Sequence, residues 1–144
     1  MAGYDKYGRM DVATLWKNGE AQRLGKEEGK ANSVFVSGGD VYVAGQEKNE
    51  DGRDLATLWK NGVAKRLSGE KSEATCVFVS GGDVYVAGNE VTVEGTYDED
   101  EEDFNILYEW SAAVLWKNGS VVWHYGYKVS GRQACCVFVP GVLK

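Results

Sequence analysis

Six consecutive acids, Asp98 to Asp103, form the densest run of ionisable groups in the chain. Within it Asp98, Asp100 and Glu102 alternate, a spacing that can gather carboxylate oxygens around a calcium ion. A recognised calcium loop also needs a glycine at its sharp turn and a backbone carbonyl among its ligands, and the run provides for neither. The residues therefore read as a solvated acidic tip, and no metal is assigned to them. The same run carries the whole net charge: of 22 acidic and 16 basic residues, these six are the excess. Such a tip repels nucleic acid and attracts a basic protein partner.

Nucleophilic and acid–base chemistry cannot be assembled from what remains. His124 is the single histidine, and the three cysteines are Cys76, Cys135 and Cys136. Cys76 and Cys136 stand where an earlier copy of the same segment has Ser33, which reads as a small buried side chain on a strand. Zinc would require paired Cys-x-x-Cys spacing or partner histidines, and neither is present. Each Gly-Gly has a hairpin explanation, so no phosphate-cradling loop is expected. No enzyme and no cofactor are expected from this set. An odd cysteine count, an opening without signal-peptide character and the lack of any apolar run of membrane-spanning length lead to the expectation of a soluble cytoplasmic protein without membrane contact.

The elements that must position these residues recur three times. Leu15-Trp16-Lys17-Asn18-Gly19 returns at Leu58 to Gly62 and at Leu115 to Gly119, while Val34-Phe35-Val36 returns at Val77 to Val79 and Val137 to Val139. Trp16 and Trp59 are 43 residues apart, and Trp59 and Trp116 are 57 apart, so 14 residues are inserted in the third copy. The chain reads as one domain over residues 1–144, with repeats at approximately 1–43, 44–86 and 87–144 and an insertion at approximately 91–108. A fixed period near forty residues marks solenoids, propellers and arrays. Met1-Ala2-Gly3 aligns with Val43-Ala44-Gly45, and Val142-Leu143-Lys144 with Gly39-Asp40-Val41, so two copies placed head to tail continue the repeat almost without a break.

Each repeat reads as four short strands in an antiparallel meander. Asn-Gly and Gly-Gly between apolar runs are hairpin signals because their tight turns need positive φ. The first two strands, such as Val34-Phe35-Val36 and Val41-Tyr42-Val43-Ala44, are apolar on consecutive residues, as in strands covered on both faces. The third mixes Ala13, Leu15 and Trp16 with Thr14 and Lys17, and the fourth carries Gln22 and Arg23. That inner-to-outer gradient predicts an all-β, β-propeller type fold with about three four-stranded blades per chain.

The run Val77-Phe78-Val79-Ser80-Gly81-Gly82-Asp83-Val84-Tyr85-Val86-Ala87-Gly88 with Leu115-Trp116-Lys117-Asn118-Gly119 resembles repeats of poorly characterised bacterial β-propeller proteins. It is also faintly similar to kelch repeats, although the paired glycines that end the kelch strand are absent here. The resemblance implies a propeller fold and brings no catalytic residues with it. Propellers usually hold about four to eight blades, so the ring is expected to close through self-association, a homodimer making six, or through sequence of a longer array.

Two features bear on binding. Trp16, Trp59 and Trp116 keep one place in every repeat, which argues for packing between blades, with a sugar-binding surface as the alternative. The third repeat departs from its siblings, with Val122 and Trp123 where the others have Gln22 and Arg23 or Lys65 and Arg66. Tyr97, Asp98, Asp100, Glu102, Tyr108, Trp110, Val122, Trp123 and Tyr125 therefore form the candidate interaction surface, with an internal apolar cluster as the alternative. The expected function is a non-catalytic interaction scaffold with specificity in loops at one end, namely Gly25 to Asn32, Gln46 to Asp54, Ser68 to Ala74 and Asn89 to Tyr108. A carbohydrate-binding propeller and a structural fragment of a longer repeat array are the alternatives.

Overall fold

A computed structural model describes residues 1–98 and 103–127, and every regular element among them is a β-strand. The strands form three antiparallel sheets in chain order. Sheet 1 holds β1 (Ala2–Tyr7), β2 (Met10–Lys17) and β3 (Glu20–Arg23). Sheet 2 holds β4 (Gly29–Ser37), β5 (Asp40–Lys48), β6 (Asp54–Lys60) and β7 (Val63–Arg66). Sheet 3 holds β8 (Lys71–Ser80), β9 (Asp83–Asp98), β10 (Asp103–Lys117) and β11 (Ser120–Tyr127). Neighbours in each sheet are neighbours in sequence, so all three are meanders.

Turn chemistry sets this connectivity. Asn18-Gly19, Asn61-Gly62 and Asn118-Gly119 all have positive φ, as do Gly38-Gly39 and Gly81-Gly82, the condition for two-residue hairpins that follow the strand twist. The Asn side chain does a second job. Asn61 accepts a hydrogen bond from the Val41 N–H and donates one to Asp40, each 2.9 Å long. Asn118 repeats this at 2.9 Å with Val84 and Asp83. One residue thus latches the turn between third and fourth strands to the turn between first and second, which explains why Asn-Gly and Gly-Gly-Asp recur together.

The register also requires glycine at one position per sheet. A bulge between Ala31 and Ser33 pushes the β4 backbone toward β5, and a matching bulge between Ala74 and Cys76 pushes β8 toward β9. A Cβ on Gly45 would stand 1.9 Å from the Lys30 carbonyl oxygen, and one on Gly88 would stand 2.0 Å from that of Glu73. No side chain fits there.

The sheets pack face to face in order, with β4 and β5 against sheet 1 and β8 against β4, β5 and β6. The seam between sheets 1 and 2 is filled by Ala13, Leu15 and Leu24 against Ala31, Val43 and Trp59. The seam between sheets 2 and 3 holds Tyr42, Ala44, Leu58 and Leu67 against Ala74, Val77, Val86, Val114 and Trp116. Trp59 and Trp116 are 0% exposed and neither indole Nε1 has a hydrogen-bond partner, so area buried, about 150–250 Å² per ring, is what they contribute. Trp16 remains partly exposed.

Two expectations need correction. The strands are longer than the apolar runs suggest: β8 begins at Lys71 and β5 runs to Lys48, so Gln46, Asn89 and Ser72 to Ala74 lie in ladders and not in loops. Backbone pairing continues past the apolar residues because their polar neighbours still exchange N–H and C=O groups across the sheet. Sheet 1 has three described strands, with no described strand along the outer edge of β1. Cys76 is partly exposed and disulfide-bonded, so it is not the small buried thiol the sequence suggests, while Cys135 and Cys136 lie outside the described residues.

Candidate functional site

The latched hairpin turns lie at one end of the sheets, so the remaining connections gather at the other. There the loop of residues 49–53 joins β5 to β6, residues 24–28 join sheet 1 to sheet 2, and residues 67–70 join sheet 2 to sheet 3. Each is tied down by a side chain. Asn49 Oδ1 accepts from the Asp51 and Arg53 N–H groups at 3.0 and 2.9 Å, holding its loop in one shape. Lys48 Nζ lies 3.2 Å from Asp54 Oδ1 across the same loop.

In sheets 2 and 3 one carboxylate each sits against the connection from the preceding sheet. Glu47 of β5 lies beside the backbone of Lys26 and Glu27, whose N–H dipoles favour its charged form, and it sits against Gly25, where a Cβ would meet its Oε2 at 1.6 Å. Burial raises its pKa above the ordinary carboxylate range, while Arg66, 4.0 Å away, works in the opposite direction. Glu90 holds the same position on β9 and accepts from Ser68 Oγ at 2.7 Å. The two carboxylates are clamps for the chain crossing between sheets.

Next to the second clamp the seam between sheets 2 and 3 opens into a cavity of about 300 Å³ lined by Gln46, Asp54, Lys71, Ser72, Glu73, Asn89 and Val91. The side chains come from β5, β6, β8 and β9, so sheet geometry, not a flexible loop, positions them. Gln46 Oε1 accepts from Asn32 Nδ2 at 3.0 Å, which orients the amide. Ser72 Oγ is already engaged, accepting from the Ala56 N–H and donating to the Glu70 carbonyl, both at 2.8 Å. Amide, carboxylate and ammonium groups thus converge on a space near the lower limit for small-ligand sites. At the corresponding place in the first seam, Tyr4 stands in the register position of Gln46, and Lys30 in that of Glu73. Lys30 Nζ lies 5.3 Å from the Tyr4 ring centroid, a cation–π contact that occupies this position.

The candidate interaction surface is distributed differently from the cavity. Beyond Val91, where β8 stops pairing, β9 and β10 continue alone as a two-stranded ribbon, so the insertion extends the hairpin between second and third strands. Tyr97 pairs with Phe104, Asp98 with Asp103, Tyr108 with Glu94 and Trp110 with Thr92. Asp100 and Glu102 lie outside the described residues. Val122 and Trp123 are on β11, the outer strand of sheet 3, and are 51% and 53% exposed beside Val121 at 51%. Tyr125 pairs with Ala113 further along β11. Val91, at the base of the ribbon, belongs to the cavity wall, so the insertion and the cavity adjoin, while none of the candidate surface residues lines the cavity.

All seven cavity residues fall within the segments 46–54, 68–74 and 89–108 to which the sequence assigns specificity, although none of them is singled out there as a site residue. Aligning the copies places Tyr4 over Gln46 and Lys30 over Glu73, two changes distant in sequence that remove a ring and reverse a charge. Among the described residues no group of three His, Cys, Asp or Glu side chains can hold a metal ion, and no helix is long and apolar enough to cross a membrane. Comparison with family models, curated proteins and solved structures finds no match, so function has to be argued from this site.

Proposed function

We propose that the chain is a non-catalytic binding scaffold of β-propeller type, each sheet acting as a blade, whose recognition end is the one where the inter-sheet connections gather. The observation that carries this reading is the cavity of about 300 Å³ between sheets 2 and 3, walled by rigid strands and lined by polar groups. Gln46 and Asn89 offer amides, Asp54 and Glu73 carboxylates and Lys71 an ammonium group. Such a mixture of donors and acceptors matches a ligand rich in hydroxyl groups, which favours a small carbohydrate over an apolar molecule. Nothing in the cavity pairs a nucleophile with a base, so binding without turnover is the chemistry it supports.

The test exchanges the seam's own residues. Gln46→Tyr with Glu73→Lys installs in the second seam the pair that occupies the first. Calorimetric titration with a panel of neutral mono- and disaccharides is expected to find a ligand for the unmodified chain and none for the double variant. A sugar bound equally well by both removes the cavity from the reading. No binding by either rejects the carbohydrate class.

A second reading rests on the exposed Val121, Val122 and Trp123. An outer strand normally guards its edge with charge, as Lys65 and Arg66 do on β7, and here an apolar edge beside the acidic ribbon offers a protein partner both contact area and a basic-selective guide.

A further inference from the structure

Sheet 1 carries three residues whose counterparts in the other sheets answer to neighbours that it lacks among the described residues. Gly45 and Gly88 are glycines because a first-strand carbonyl lies about where a Cβ would be. Gly3 holds the same register, opposite Thr14 as Gly45 is opposite Thr57, yet no described strand runs along that edge of β1. Asn61 and Asn118 latch onto the turn that begins the second strand. Asn18 has the same positive φ of 52° and no such latch among the described residues. Trp59 and Trp116 are 0% exposed, each on the sheet face that meets the preceding sheet, and Trp16 is left partly exposed.

The missing strand has a recognisable sequence. Ala134-Cys135-Cys136-Val137-Phe138-Val139 repeats Ala31 to Val36 and Ala74 to Val79, the paired portions of β4 and β8. It follows β11 in the chain as β8 follows β7. β4 and β8 each pack on the sheet before them, and the sheet before this segment in the chain is sheet 3. Sheet 1 of the same chain packs on the opposite side of sheet 2.

We infer that the free edge of β1 pairs with residues 134–139 of a second copy of this chain, the two copies exchanging the strand reciprocally. Twelve strands per copy then give two sets of three four-stranded sheets in one closed, isologous assembly. The register of the other sheets sets Gly3 opposite Ala134 and Ala2 opposite Cys136. The exchange rests on reading the sheets as blades of one ring. Its test measures covalent mass, whereas that reading is tested by ligand binding, so the two fail separately.

Ala2→Cys is introduced into the full chain with Cys76→Ser and Cys135→Ser, leaving Cys136 as the only native thiol. Serine fits the Cys76 position because Ser33 occupies it in sheet 2. Mild oxidation of the folded protein is expected to give most of the material at twice the chain mass under denaturing, non-reducing conditions, returning to single mass with reductant. Thiols consumed at single mass mean that the chain completes its own sheet. Thiols left unreacted mean that no such pairing exists. Either result overturns the exchange. If the triple variant does not fold, light scattering of the unmodified chain decides: a dimer whose dissociation constant rises at least tenfold on Gly3→Val supports the exchange, and a folded monomer, or a dimer indifferent to Gly3→Val, refutes it.

Discussion

The two seams are built on the same repeat and finish differently. Both bury one tryptophan from the third strand of the following sheet, Trp59 in the first seam and Trp116 in the second, and both use a second-strand glutamate as a clamp. They part at the end where the connections gather. In the first, Tyr4 and Lys30 close over each other, and in the second Gln46 and Glu73 leave a polar cavity. The lesson is that the apolar part of a seam is generic and supports stability, while a few polar positions at its end are free to change and can acquire function. Stability and specificity are separated along one interface.

The strongest challenge to that separation is to the generic part. Trp59→Ala and Trp116→Ala should each cost about 3–5 kcal/mol in denaturant unfolding, since each empties the centre of a seam around a fully buried ring. A clearly smaller loss for one of them would mean that the two seams are not equivalent in their cores. Smaller effects come from backbone approach. Gly45→Ala and Gly88→Ala should each cost about 1–3 kcal/mol, because the added methyl can be accommodated only by moving a bulged strand. Unfolding midpoints within error of the parent would show that the bulges are not fixed by these glycines.

The clamps supply the finest comparison. Glu47 is 8% exposed, its Oε2 lacks a hydrogen-bond partner, and burial raises its pKa. For an acid with a raised folded-state pKa the native state holds its proton more tightly than the unfolded chain does. Its ionisation therefore opposes folding at neutral pH, and this cost disappears as pH falls through the folded pKa toward the ordinary carboxylate value. Glu47→Gln should accordingly gain a little stability at pH 7 to 8, with the gain shrinking on acidification. The attraction to Arg66 lost with the charge is worth at most about 1 kcal/mol. Melting curves across pH 4 to 8 test this, and a variant less stable than the parent at pH 8 would show that the charge itself is what the clamp uses.

Much of the fold was readable because local chemistry decides it. Asn61-Gly62 and Gly81-Gly82 fix hairpins with no help from distant residues, and the 43-residue step between Trp16 and Trp59 reports one unit built more than once. The insertion was placed correctly between second and third strands for the same reason, since the register of its flanks continues on either side of it. The cavity was readable as stretches of chain, its residues all lying in segments assigned to specificity, but not as a site. Gln46 and Glu73 are ordinary polar residues until two sheets bring them together, and neither lies in a motif. Glu47 looks like a surface acid for a similar reason: its burial depends on Gly25, which belongs to the connection from the preceding sheet. Strand ends were underestimated because polar residues such as Lys71 and Gln46 hide a ladder that only their backbones make.

The ribbon has one more physical consequence. From Thr92 to Asp98 it runs seven residues past the last residue paired to β8, roughly 20 Å at the usual rise of an extended chain. That is more than twice the ~8 Å over which salt water lets surface charges act on one another. Asp98 and Asp103, paired at the described end of the ribbon, are thus held about that far along it from the last residue paired to β8. Charge at that distance acts mainly on what approaches the ribbon and is screened from the sheets behind it.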